Sequence, residues 1–420
     1  MSSTALFRIL LTFGIFFLLD LYVFTGFIAA FAAGRSRIIA AWLYWGVTIS
    51  FYALAIYAIS TFSRATGPAT PLAKWLIGSF VFLYVPKLVM LFFFAGEDAY
   101  RLLRAGGVGV AKIFGGAKEA TFIESRRMFI ARMAAYTAAI PAIGILYGIV
   151  KGRFNFTVRK TEIAFKDLPE AFDGLTITQI SDLHVGSFDT ESDRAELNHA
   201  IALINKQKSD LIFFTGDLVN NRAEEMQPWM DDFGKLHAPM GKYSILGNHD
   251  YGDYSDWPSR EAKRANMQQL YNTHDQLGFT LLRNQNVRIE KNGQHLELLG
   301  MENWGKGFAQ YGDFSKTLQG TNDGAFKILL SHDPSHWEEE VMSHDTHVHL
   351  TLSGHTHGAQ FGIEVPGFKF SPVQLRYKRW AGLYSENSRY LYVNRGLGFL
   401  AFPGRVGIWP EITVITLRKA

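Results

Sequence analysis

Two hydrophobic patterns divide the chain. Up to about residue 150 apolar residues run almost unbroken. Four stretches, near 5–32, 38–61, 75–95 and 128–150, are long enough to cross a bilayer as helices, which takes about 20 residues. From about residue 160 the apolar runs shorten to strand length. The run 175–180 (Leu-Thr-Ile-Thr-Gln-Ile) predicts a buried strand, as do 211–214, 243–246, 326–330 and 347–352. Between the first two, Leu197, Ile201 and Ile204 recur at helical spacing and predict a helix over 191–207.

Each predicted strand runs into a polar cluster. In order these are Asp182-Leu183-His184, Gly216-Asp217, Gly247-Asn248-His249-Asp250, Ser331-His332 and Gly354-His355-Thr356-His357. The carboxyl end of a strand, where it meets a loop, is the usual place for a site in α/β sheets. The clusters supply two aspartates, an asparagine and four histidines as candidate ligands, with one histidine to spare. That inventory suits two divalent metals sharing a carboxylate and attacking a phosphate ester. In His355-Thr356-His357 the side chains diverge if the backbone is extended, and a tight turn is needed to aim them at neighbouring ions. Gly354 and Gly358 are expected to give the backbone that freedom.

Composition sharpens the division. The 420 residues are 48% hydrophobic and 19% charged, and all 13 histidines follow residue 180. We therefore expect a membrane domain over 1–150, a linker and domain entry over 151–170, and a globular domain over 171–420. The last is long enough to bury a full core. The net charge of +4 is mild and no basic stripe is interleaved with aromatics, so nucleic acid is not implied. There is no cysteine, which excludes disulfides and thiolate metal sites. The first apolar stretch is too long for a cleaved signal peptide, and three more follow it.

Charge also bears on orientation. Arg35, Arg37, Arg101, Arg104, Lys112, Lys118, Arg126 and Arg127 follow the first and third stretches, against Arg8, Arg64 and Lys74 in the short segments on the other side. Lys151, Arg153, Arg159, Lys160 and Lys166 after the fourth stretch weaken the contrast but lead into a large domain, whose charges count less. The positive-inside rule then places the first set in the cytoplasm and both chain ends outside. Ser125-Arg126-Arg127-Met128-Phe129-Ile130 resembles a twin-arginine export signal, or is the basic flank of a membrane helix. Both readings keep the arginines inside. Asp20 and Lys87 fall at similar depth in spans that run in the same direction. A charge in hydrocarbon is costly unless paired, so an ion pair is expected. Pro86 and Pro141 are expected to kink their helices.

The five motifs together resemble the calcineurin-like metallophosphoesterases over about residues 160–418. The segment Leu168-Pro169 to Phe172-Asp173-Gly174-Leu175 and the run Tyr392-Val393-Asn394-Arg395-Gly396-Leu397-Gly398 resemble its membrane-associated or exported YkuE/YaeI-type subgroup. Asn220 departs from the pattern, where many relatives carry an aspartate that is not a ligand. The resemblance implies an α/β fold in which a two-sheet β-sandwich flanked by helices follows four transmembrane helices. It implies that Asp182, His184 and His357 hold one metal, that Asn248, His332 and His355 hold the other, and that Asp217 bridges them. His249 is left to stabilise the transition state or protonate the leaving oxygen. Carboxylate, imidazole and amide oxygen suit Mn²⁺, Fe or Zn²⁺ better than Mg²⁺ or Ca²⁺. His199, His237, His274, His295 and His336 are expected to be core or surface residues, His347 and His349 strand residues, and His344 a loop residue.

Substrate contacts are less marked. The segment 368–384 holds Phe370, Arg376, Tyr377, Lys378, Arg379 and Trp380. It reads either as a rim suited to a membrane interface and anionic phosphate headgroups or as a solvated loop. Arg376, Arg379, Trp380 and Arg395 are the substrate candidates, with Arg405 behind them. The expected protein is a multi-pass enzyme of the cytoplasmic membrane with an extracytoplasmic phosphoesterase domain. Its partners are the lipid bilayer and a phosphomonoester or phosphodiester, favoured as lipid-linked or envelope-derived. A UDP-acylglucosamine-type pyrophosphohydrolase is the alternative within the class. A membrane sensor or transporter with a phosphoesterase-like domain is the alternative outside it. The full ligand set argues against the sensor, and four spans argue against the transporter.

Overall fold

The computed structural model describes residues 3–31, 33–61, 71–114 and 124–420. Arg64 and Lys118, used in the charge comparison, lie outside them. The chain forms two compact units, residues 1–62 with 75–147 and residues 63–74 with 148–420.

The first unit is built on four helices: α1 (Ser3–Phe27), α2 (Arg35–Thr61), α3 (Pro71–Ile113) and α4 (Glu124–Val150). All four are long and apolar enough to cross a membrane, and the protein is a multi-pass membrane protein. The third exceeds the stretch expected from hydropathy. Its 43 residues span about 65 Å, roughly twice the hydrocarbon thickness. Arg101, Arg104 and Lys112 therefore ride on a helix that outruns the bilayer and do not sit in a loop. Pro86 and Pro141 lie inside α3 and α4. Asp20 and Lys87 pair as expected, with Lys87 Nζ 2.6 Å from Asp20 Oδ1. Lys87 also donates to Thr48 Oγ1 at 3.2 Å, and the hydroxyls of Tyr52 and Tyr84 donate to Asp20 Oδ2 at 2.5 and 3.0 Å.

The second unit is a layered α/β domain. Its strands are β1 (Thr157–Phe165), β2 (Thr176–Ile180), β3 (Leu211–Phe214), β4 (Lys242–Ser244), β5 (Thr280–Leu281), β6 (Gln285–Lys291) and β7 (Gln294–Gly300). They continue with β8 (Lys327–Leu330), β9 (Leu350–Ser353), β10 (Ile363–Val365), β11 (Phe368–Phe370), β12 (Gly382–Glu386), β13 (Arg389–Val393) and β14 (Glu411–Lys419). One six-stranded sheet runs β1-β14-β2-β3-β4-β5 and the other β12-β13-β9-β8-β7-β6, while β10 and β11 form a separate hairpin.

Side-chain alternation explains the layering. Leu211 and Phe213 of β3 join Ile328 and Leu330 of β8 between the sheets. Ile212 and Phe214 point the other way, to Leu197, Ile201 and Ile204 of α5 (Glu191–Lys206). Leu329 of β8 faces outward to Phe314 and Trp337. Both faces of each central strand are thus covered, which is why those segments read as continuous apolar runs. The carboxyl ends of β2, β3, β4, β8 and β9 carry the five polar clusters.

Two expectations about strands need correction. The third run stops as a strand at Ser244, two residues early, and Ile245 and Leu246 are buried loop residues. His347 and His349 precede β9, which begins at Leu350. His349 stacks on Phe326 with ring centroids 4.3 Å apart and its Nδ1 accepts from Lys327 N at 3.0 Å. That places it at the amino end of β8 and β9, away from the clusters. An apolar, β-branched run signals burial, and burial extends beyond the ladder at both ends.

Candidate metal centre

Five of the seven proposed ligands adopt left-handed backbone conformations: Asp182, His184, Asp217, His355 and His357, with φ of 50°, 45°, 60°, 69° and 49°. This conformation is uncommon outside glycine, although Asp, Asn and His adopt it more readily than most residues. Its concentration here is the kind of strain that surrounding structure must hold in place at a site. The turns bring side chains from different strands to one point. The ligand atoms of Asp182, His184 and His357 lie within 4.8 Å of one another, as do those of Asp217, His332 and His355.

Asp217 stands between the two groups. Its Oδ2 lies 3.4 Å from His184 Nε2 and 3.1 Å from His332 Nε2. Its Oδ1 accepts from His249 N at 2.8 Å. The Asn248 amide is held by Tyr254 and His355, with Nδ2 donating to Tyr254 Oη and Oδ1 facing His355 Nδ1, both at 2.9 Å. His184 and His357 point Nε2 at each other across 3.1 Å. His249 is turned by a 2.9 Å contact from Nδ1 to the Asn220 carbonyl. The structure therefore brings all seven proposed ligands and His249 together.

The two glycines act differently. Gly358 has a φ of +55°, as the turn argument requires. Gly354 has no such φ, and its role is space, because a Cβ there would land on the Ser181 hydroxyl and the Asp182 carboxylate.

The electrostatics fit divalent cations. Burial pushes the Asp182 carboxyl up and the nearby Asp217 charge adds to this, against the pull of His332. Burial would lower the His332 imidazole, yet Asp217 lifts it to about 10. Asp217 is correspondingly held well below the carboxylate range, overcoming its own burial. A proton between Asp217 and His332 thus does the work of a cation, and a divalent ion displaces such a proton when it binds. His184 Nδ1 and Ser181 Oγ are buried without hydrogen bonds, and His332 Nε2 meets the Asp217 carboxylate. Oxygen and imidazole donors around buried carboxylates suit divalent cations.

Several supporting residues carried no role in the sequence reading. The Asp250 carboxylate accepts from Asp217 N and Gly247 N at 2.8 and 2.9 Å and from Leu218 N and Val219 N at 2.9 and 3.3 Å. It fastens two cluster loops together, and burial followed by the Asp217 charge pushes its own carboxyl up to about 7. Its place in the Gly-Asn-His-Asp motif was the available signal. Tyr377 Oη contacts His355 Nε2 at 2.9 Å and donates to Asp333 Oδ2 at 3.2 Å. Tyr254 and Tyr377 lie outside the motifs: the sequence puts Tyr377 only in the aromatic 368–384 segment, and nothing in it marks Tyr254.

The substrate candidates separate. Arg395 is 2% exposed and bonded to Glu411 and Glu364. Trp380 is 2% exposed, and its carbonyl accepts from Thr356 Oγ1. Arg379 reaches Glu338 at 2.7 Å and Glu386 at 2.6 Å. Trp380 and Arg395 are therefore internal, and Arg379 is a half-buried brace whose guanidinium is spent on two glutamates. Aromatics and cations mark surface or core equally in a sequence, and the partner glutamates lie 7 to 41 positions away. Arg405 is fully buried and donates to the Gly398 and Arg395 carbonyls, with Nη2 3.1 Å from His357 Nδ1. It orients a candidate ligand. Arg376 alone is exposed beside the centre. Its guanidinium lies 5.0 Å from the Phe308 ring, which packs edge-on to His355 at 4.8 Å.

A double-sheet domain with this donor set defines a metal-dependent phosphoric ester hydrolase. Residues 175–359 match the family model for the calcineurin-like phosphoesterase, and residues 6–153 match that for the probable calcineurin-like phosphoesterase, transmembrane domain. The chain is 34% identical to the uncharacterized metallophosphoesterase YkuE of Bacillus subtilis (70% of this chain, 98% of that one). It is 30% identical to the phosphodiesterase YaeI of Escherichia coli (70% and 99%). It is 30% identical to the UDP-2,3-diacylglucosamine pyrophosphatase LpxG of Chlamydia trachomatis (55% and 81%). The chain belongs to the calcineurin-like metallophosphoesterase family, which uses divalent metals.

Proposed function

We propose that the protein hydrolyses a phosphomonoester or phosphodiester carried by a lipid-linked or envelope molecule, outside the cytoplasmic membrane. The observation that carries the chemistry is the convergence of two donor groups on Asp217. Asp182, His184 and His357 would hold one divalent ion and Asn248, His332 and His355 the other, with Asp217 shared. Bound there, the ions would polarise the phosphate and lower the pKa of a water between them.

The chain's own groups do the rest. Asp250 fixes the loops of Asp217 and Asn248, and Arg405 and Tyr377 fix His357 and His355. His249 is only partly buried and meets the leaving oxygen. Burial brings its imidazole down to about 4 against the upward pull of Asp217, so at neutral pH the ring is uncharged. Nδ1–H then donates to the Asn220 carbonyl. To act as the acid, His249 first takes a proton from solvent on Nε2 and then gives it to the leaving oxygen, which returns the ring to its neutral form.

Pyrophosphate cleavage in a nucleotide-linked acylglucosamine is the second reading, favoured by the likeness to LpxG. Such a substrate is cytosolic, so topology discriminates. The arginine distribution and the Ser125–Ile130 motif support the extracytoplasmic reading. External protease added to intact cells lacking an outer-membrane barrier should digest a C-terminal tag. Shielding of the tag would overturn the extracytoplasmic placement. If twin-arginine export is used, Arg126→Lys with Arg127→Lys should strand the phosphoesterase domain inside. An exposed domain in that variant would leave the arginines as a plain topology signal.

A further inference from the structure

The hairpin of β10 and β11 is amphipathic in the sense opposite to that expected in water. Its register pairs Ile363 with Phe370, Glu364 with Lys369 and Val365 with Phe368. Ile363, Val365, Phe368 and Phe370 therefore share one face, and Glu364 and Lys369 the other. The polar face is turned to the protein. Glu364 bonds Arg395 at 2.7 Å and Arg159 at 2.9 Å, and Lys369 donates to the Ala381 carbonyl at 2.6 Å. The apolar face is turned out, with exposures of 56%, 52%, 56% and 42% in chain order, and Leu375 beyond it is 89% exposed. Of the large apolar side chains exposed after residue 150, only Tyr254, Tyr311 and Leu383 lie outside this group. An apolar patch so concentrated marks an interaction surface.

The position of the hairpin identifies what covers it. Gln360 and Gly362, at its base, exchange backbone hydrogen bonds with Val406 at 2.7 and 2.9 Å. The adjacent Arg405 N donates to the Gly148 carbonyl at 3.1 Å, and Gly148 lies in the last turn of the fourth span, Arg126–Val150. The hairpin is therefore rooted where the chain leaves the bilayer. Exposed Arg376 and Lys378 follow it, and cations beside an apolar surface favour anionic headgroups. Its other end leads into the metal centre, because Ser371 Oγ donates to the Gly358 carbonyl at 2.7 Å and Tyr377 contacts His355.

We infer that the β10–β11 hairpin inserts its outer face into the interface of the bilayer that the protein's own spans cross, and so holds the mouth of the metal centre against the lipid surface. The inference deepens the proposed action on a lipid-linked substrate, and its test is independent of turnover.

The absence of cysteine allows single labelling sites in the full chain. Val365→Cys and Phe368→Cys, with Glu290→Cys on exposed β6 as an aqueous reference, would each carry an environment-sensitive fluorophore in phosphatidylcholine–phosphatidylglycerol nanodiscs. Nitroxide on the lipid acyl chains should quench the two hairpin labels strongly and the reference weakly. Aqueous iodide should quench the hairpin labels several-fold less than the reference. Iodide access at both hairpin positions equal to that at Glu290→Cys would overturn the inference. So would protection from both quenchers, which would mean that protein covers the face. Hydrolysis of a water-soluble chromogenic phosphoester by each variant reports folding separately. Failed quenching with normal hydrolysis removes the hairpin contact and leaves the proposed chemistry standing.

Discussion

Both units bury a knot of polar side chains, and the two knots differ in how they are satisfied. In the membrane unit Asp20 takes a lysine and two tyrosine hydroxyls on its carboxylate, and Lys87 also reaches Thr48. No side-chain polar atom of this group is buried without a partner. In the phosphoesterase unit His184 and Ser181 keep buried atoms without hydrogen bonds, while two carboxylates sit beside four imidazoles. The first knot is closed on itself, as a structural pair should be. The second is poised for cations. Of these two knots, unmet polar capacity falls on the second and not on the first.

The strongest way to break this contrast is to remove the shared carboxylate. Asp217→Asn should bind metal poorly and turn over slower by roughly 10³-fold, as expected when several kcal/mol of charge stabilisation is lost. Metal analysis of the purified variant checks this. Two ions per chain at wild-type affinity with normal turnover would remove Asp217 from the bridge.

His249→Ala tests whether the centre has a working group that is not a ligand. Both ions should remain, and hydrolysis of esters with poor leaving groups should slow by roughly 10²–10⁴. Esters with good leaving groups should lose less. Equal losses on both, or lost metal, would contradict the assignment.

The two knots also differed in how well the sequence revealed them. The ligands were legible because each follows a strand of continuous apolar residues, so strand ends and polar clusters coincide. The Asp20–Lys87 pair was legible because a charge within a hydrocarbon span leaves few alternatives. The supporting residues were hidden. Tyr254 and Tyr377 reach the centre from loops whose path depends on tertiary packing. Arg379 and Trp380 looked like a rim because their composition suits one, and Arg395 like a phosphate contact; only the folded partners Glu338, Glu386, Glu364 and Glu411 show that the two arginines are tied down as salt bridges. The segment 368–384 took in the second strand of the hairpin at 363–370, but the pairing with the first was hidden for a related reason. Alternating apolar and charged residues predict a strand with a buried apolar face, and here the faces are reversed.

The closed knot yields a stability prediction. Lys87→Met strands the Asp20 charge and should destabilise the membrane unit by about 3–5 kcal/mol, whereas Asp20→Asn combined with Lys87→Met should recover much of that loss. Thermal unfolding in detergent reads the difference. Turnover of the folded fraction should stay at the wild-type level in the double variant. A double variant as unstable as the single would mean that the pair does more than neutralise itself.

The smallest effect concerns the substrate arginines. Arg376 stands exposed beside the centre, whereas Arg379 spends its guanidinium on Glu338 and Glu386. An exposed charge contact is worth up to about 1 kcal/mol. Arg376→Ala should therefore raise KM for a phosphoester by roughly two- to fivefold with little change in kcat, a loss of binding common to ground and transition states. Arg379→Ala should leave KM unchanged and lower thermal stability slightly. Salt gives an independent check, because screening weakens an exposed contact. The gap in KM between wild type and Arg376→Ala should narrow as ionic strength rises. The reverse pattern, with KM moved by Arg379→Ala and not by Arg376→Ala, would place the substrate on the other side of the 372–380 segment and remove Arg376 from the mouth of the centre.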